Sequence, residues 1–62
     1  MFYVFLQVRQ EGGRGLCSYF ILTQQVSPTG GELKAGPFAT MAQADAWIAS
    51  TGHPRGTEWV CV

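Results

Sequence analysis

One histidine, two cysteines and four carboxylates are the groups in this 62-residue chain that most often carry acid–base, metal or thiol chemistry. His53 sits in Gly52-His53-Pro54, just after a helical segment. A general base there would need a nucleophile and an orienting acid within reach, yet Asp45 lies on the preceding helix and no strained nucleophile turn is present. The expectation is a solvated loop histidine. Glu11, Glu32, Asp45 and Glu58 are scattered singly, so no pair has the spacing of shared acid and base work. Cys17, Cys61 and His53 supply at most three metal ligands where structural zinc takes four. The two cysteines also lack the short spacing of a metal knuckle or redox motif, and they read as reduced, buried small hydrophobes. A bridge between them would require neighbouring strands, which spacing alone does not establish. Gly12-Gly13-Arg14-Gly15 looks like a phosphate cradle, but it lacks the Lys-Ser/Thr and following helix of a P-loop and reads as a hairpin loop. No catalytic residue, metal site or cofactor is expected.

Composition narrows the partners. Hydrophobic types make up 47% of the residues against 13% charged, which suits one compact domain near the lower size limit for a self-sufficient core. Four Lys and Arg balance four Asp and Glu, so no net field draws the chain to a polyanion or an acidic membrane. Sheet aromatics could stack bases, but the positive surround of RNA-binding sheets is missing, and nucleic acid is not expected as a partner. The apolar opening Phe2-Tyr3-Val4-Phe5-Leu6 is too short for a membrane span and lacks a preceding basic residue. Cytoplasmic residence is the resulting expectation.

The elements that would position any site are legible in order. Residues 2–10 are aromatic and β-branched, with Val4, Leu6 and Val8 on one side and Tyr3, Phe5, Gln7 and Arg9 on the other. Glycines 12, 13 and 15 supply a hairpin connection to a second strand from Leu16 to about Gln25. Ser27-Pro28-Thr29-Gly30-Gly31 is a second turn, and 32–35 is a short optional strand that Gly36-Pro37 interrupts. Thr40 as N-cap with Gln43 three residues on makes a capping box for a helix over 41–50. Met41, Ala44, Trp47 and Ile48 form its buried stripe, Gln43 and Ser50 face water, and Gly52 ends it. Residues 57–62 alternate as a closing strand. The fold class is α+β: a three- or four-stranded, mainly antiparallel sheet in the order β-β-(β)-α-β, with one helix on one face.

Counting faces then exposes an excess of aromatic surface. Phe2, Tyr3, Phe5, Tyr19 and Phe20 lie on two strands whose side chains alternate, and one helix covers one face. Either residues such as Leu33, Pro37 and Phe38 fold over the second face, or an apolar, tyrosine-bearing patch remains there as an interface. The candidate binding residues are Tyr3, Phe5 and Tyr19, with Arg9 and Arg14 at the rim. On that reading, truncating Phe5 or Tyr19 weakens binding and leaves melting unchanged.

Gly36-Pro37-Phe38-Ala39-Thr40 followed by Ala44 and Trp47 resembles the second half of SPOR domains, and Phe2-Tyr3-Val4 with Gln7 resembles their opening strand. The resemblance covers half the chain and departs where Gly-rich turns replace the first helix of that family. It implies a peptidoglycan-binding role. By size and character, the chain also resembles the compact accessory proteins of phages and mobile elements, anti-CRISPR proteins among them, though no residue motif carries this. That resemblance implies a non-enzymatic inhibitor or modulator that begins at its own methionine and occupies a surface of a larger host protein or complex, with self-association as a further possibility.

Overall fold

A computed structural model describes residues 1–61 as one four-stranded antiparallel sheet in the order β3-β1-β2-β4, with one helix against it. In chain order these are β1 (Phe2–Glu11), β2 (Arg14–Leu22), β3 (Glu32–Phe38), α1 (Met41–Ser50) and β4 (Trp59–Val60). The α+β class and the single helix are as the sequence implies.

The first hairpin follows from its turn. Glu11 pairs with Arg14, leaving Gly12 and Gly13 as a two-residue connection with φ of 57° and 78°. Two successive positive φ values define the type I′ turn whose twist matches that of flanking strands, and glycine adopts them without Cβ strain. The register then runs without a break from Glu11↔Arg14 to Tyr3↔Leu22.

That register sorts the side chains. Val4 lies opposite Ile21 and Leu6 opposite Tyr19, so these share the helix-bearing face. The core there is Val4, Ala44 and Ile48, flanked by Phe2, Tyr19, Ile21, Ala35, Phe38 and Trp47. Met41, expected in the buried stripe of the helix, and Val8, on the same side of β1 as Val4, fall outside this core. Met41 is 39% exposed and Val8 is 41% exposed, because a ten-residue helix does not cover the hairpin end of the sheet and Met41 opens the helix at its rim.

The helix keeps its sequence-defined bounds. The Thr40 side chain accepts from the Gln43 backbone N–H (3.1 Å), and Gln43 Oε1 accepts from the backbone N–H groups of Ala39 (2.9 Å) and Thr40 (3.4 Å). Thr40→Ala, which removes one of these capping partners, should destabilise the domain by about 1 kcal/mol. Thermal denaturation should register this as a fall of about 4–8 °C.

Strand limits differ from the sequence reading where tertiary pairing decides. β2 ends at Leu22 rather than near Gln25, because β1 has run out of partners at Phe2 and Tyr3. β3 continues through Gly36-Pro37 to Phe38, accommodating the interruption by register shifts against Phe2, Val4 and Phe5. β4 is only Trp59–Val60, opposite Cys17 and Leu16, and Val62 lies outside the described residues.

The reduced state expected for the cysteines is also corrected: Cys17 and Cys61 form a disulfide. Trp59 lies opposite Cys17, and the Cys61 amide donates to the Gly15 carbonyl (3.0 Å). Cys61 therefore sits diagonally across from Cys17 on the same face, with Cα atoms 5.8 Å apart, inside the range a bridge can span. No helix among the described residues is long and apolar enough to cross a membrane.

Candidate binding surface

The five candidate residues do not form one exposed patch. Tyr3 and Phe5 do point away from the helix, but they are buried, at 9% and 1% exposure. Tyr19 stands on the opposite, helix-bearing face because Leu6, not Phe5, is its partner. It is half-buried there, edge-on to Trp47 with ring centroids 5.8 Å apart and tilted on Trp59 at 5.0 Å. The solvated histidine expected at position 53 joins the same cluster, stacked on Trp59 at 4.1 Å and half-buried. The four rings form a contiguous cluster in which Trp59 is half-buried between Tyr19 and His53.

The second face is covered by residues 23–31, not by Pro37 and Phe38. Ser27 to Gly30 form a turn closed by the Gly30 N–H donating to the Ser27 carbonyl (3.2 Å), with Pro28 at the position where its fixed φ suits a type I turn. Gln25 Nε2 donates to the Tyr3 hydroxyl (3.1 Å), and the Thr29 hydroxyl donates to Gln7 Oε1 (3.2 Å). The loop then returns at Gly31, where a Cβ would stand 2.7 Å from Phe20 Cζ. Only glycine lets the backbone approach the ring so closely. Phe20 in turn stacks on Phe5, with centroids 5.5 Å apart. Leu33, across from Phe5, remains 47% exposed.

Between this loop and the sheet lies an open cleft of about 530 Å³, lined by Gln7, Ser18, Phe20, Leu22 and the Ser27-Pro28-Thr29 turn. Phe20 and Leu22 give it an apolar floor, and its polar lining is amides and hydroxyls without a titratable side chain. The hydroxyls of Ser27 and Thr29 bond to each other at 2.9 Å. Val26, on the same loop, is 75% exposed. Sequence reasoning missed this cleft because Ser27-Pro28 reads only as a turn, and nothing local states which face the turn folds onto.

The two arginines expected at the rim behave differently. Arg9 donates to both carboxylate oxygens of Glu58 (2.9 to 3.2 Å) and pairs with Glu11. The hydrogen bonds it donates to Glu58, then the charges of Glu11 and Glu58, raise its pKa above the ordinary guanidinium value, so it stays charged and locally neutralised. Arg14 is exposed at the hairpin end, beside a shallow hollow with Glu11, Gly12 and Leu16. Among the described residues no group of three or more His, Cys, Asp or Glu is placed to hold a metal ion. Comparison with known proteins returns no matching family model, no similar curated protein and no similar solved structure.

Proposed function

We propose that this chain is a non-enzymatic protein-binding domain, an inhibitor or modulator that occupies a surface of a larger protein or complex, and that the cleft beneath residues 23–31 is its docking face. The observation that carries this reading is the lining of the cleft: an apolar floor of Phe20 and Leu22 inside a rim of neutral hydroxyls and amides. That composition resembles the core and rim of a protein interface, and it offers neither a base nor an acid to a reacting substrate. The Cys17–Cys61 disulfide supports action in an oxidising compartment, since such bonds are rare where thiols are kept reduced. This favours a partner met outside the cytoplasm over the cytoplasmic partner that an anti-CRISPR-like role would require.

The test is affinity capture from the source cells and their culture fluid, read by mass spectrometry, with denuded peptidoglycan as a parallel bait. A specific protein complex retained on the domain fits the proposal, whereas sedimentation with peptidoglycan alone would support the glycan-binding role implied by the SPOR resemblance. Ser18→Arg places a charge in the cleft at a strand position opposite Gln7. It should weaken partner binding by roughly tenfold or more, while folding changes by no more than about 0.5 kcal/mol. Unchanged affinity in isothermal titration would remove the cleft from the interface.

A further inference from the structure

We propose that the outer edge of β2, from Ser18 to Leu22, takes up an extended, uncharged segment of the partner protein as an added strand whose alternate side chains enter the cleft. The inference rests on the protein-binding reading above and names its mode of recognition.

The two edges of the sheet differ in a way that singles this one out. Open strand edges invite pairing with other chains, and proteins ordinarily blunt them with charge, proline, bulges or a covering element. β3 carries these devices: a Lys34–Glu32 ion pair at 2.8 Å, Pro37, and register shifts along its pairing with β1. On the other side, β4 covers β2 only at Leu16 and Cys17. Beyond it, Tyr19-Phe20-Ile21-Leu22 has no charge and no proline, its register on β1 is unbroken, and no strand of the described residues lies outside it.

The direction of the backbone groups follows from pairing. The Gly15 carbonyl points outward, because it accepts from Cys61. Antiparallel pairing alternates, so Cys17, Tyr19 and Ile21 also present their N–H and C=O outward, while Leu16, Ser18, Phe20 and Leu22 present theirs to β1. β4 meets Cys17, which leaves two donors and two acceptors, on Tyr19 and Ile21, for an added strand.

The cleft lies against this same edge, since three of its lining residues, Ser18, Phe20 and Leu22, belong to it. A residue directly opposite Phe20 on an added strand shares its face and points into the cleft. Main-chain bonds then supply affinity, and the cleft selects alternate side chains. An apolar floor and an uncharged rim select apolar, neutral residues at those positions, because a charge there would be desolvated without a partner.

The test is selection of linear peptides from a random phage-displayed library against the disulfide-bonded protein, followed by backbone N-methylation of the best binder at each position. Uncharged sequences with alternating apolar residues should emerge. Methylation at alternate positions should weaken binding by roughly tenfold or more, the loss of a main-chain hydrogen bond, and the intervening positions should tolerate it. By amide exchange in NMR, Tyr19 and Ile21 should exchange freely in the isolated protein and become protected with the peptide bound. Binding insensitive to methylation at every position overturns strand addition while leaving the protein-binding reading intact. Protection of Tyr19 and Ile21 in the isolated protein through a concentration-dependent dimer overturns it too, by assigning the edge to a second copy. An empty selection also overturns it, and the capture experiment decides whether the broader reading falls with it.

Discussion

Phe5→Ala is expected to bring the domain to the margin of unfolding at room temperature. Phe5 is 1% exposed and stacked on Phe20, and removing a buried phenylalanine costs about 3–5 kcal/mol in lost burial and residual cavity. A domain of this size has only about 3–9 kcal/mol in total. A surface placement of Phe5, as the strand alternation alone suggests, predicts that the same substitution spares folding, so the measurement separates the two placements. Leu33→Ala is the matched control, since Leu33 lies across from Phe5 but is half-exposed, and it should change stability by no more than about 0.5 kcal/mol. Urea unfolding of both variants is the check. A Phe5→Ala midpoint close to the parent's would mean that residues 23–31 do not cover the second face.

Reduction of the disulfide should have an effect of similar size by a different route. The bridge closes a loop with a sequence separation of 44, and the chain-entropy account gives a loop of that length about 4 kcal/mol of stabilisation. β4 is paired to the sheet only through Leu16↔Val60 and Cys17↔Trp59, helped by the Cys61–Gly15 backbone bond, the exposed Arg9–Glu58 pair and the packing of Trp59. A thiol reductant has access through Cys61, which is exposed, while Cys17 is buried. Freed from β2, Trp59 should lose its packing on Tyr19 and His53, and its fluorescence should shift toward that of a solvated indole. The double variant Cys17→Ala with Cys61→Ala should reproduce the loss without reductant. A melting temperature within a degree or two of the oxidised parent would show that the sheet holds β4 unaided.

The parts of the fold that were legible in the sequence are those that neighbouring residues decide among themselves. Gly12-Gly13 specifies its turn through backbone strain, and Thr40 with Gln43 specifies the helix start through two local hydrogen bonds. The alternation of Val4 and Phe5 was legible as well, and Phe5 does point away from the helix. What alternation leaves open is the cover. Residues 23–31 read as polar loop, yet Gln25, Thr29 and Gly31 fasten them onto Tyr3, Gln7 and Phe20, contacts that depend on the whole hairpin being in place. The face of Tyr19 is not legible locally, because its side follows from register with Leu6, which the turn sets from several residues away. The disulfide is undecided in the sequence for a related reason: the diagonal approach of Cys61 to Cys17 exists only once a two-residue strand has paired. Of the candidate residues, Tyr3 and Phe5 are buried and Tyr19 lies on the helix side, and the apolar lining of the cleft opposite the helix comes from Phe20 and Leu22.

Docking of a partner protein at the cleft between residues 23–31 and β2 can be read by position-dependent photo-crosslinking. Benzoylphenylalanine is introduced separately at Thr29, which is exposed and lines the cleft, and at Ala46, which is exposed on α1. Each protein is irradiated with the material retained in the capture experiment. Docking at the cleft should give a covalent adduct with the same partner protein from position 29 and none from position 46. An adduct from position 46 with none from position 29 would contradict it and move the docking surface to the helix.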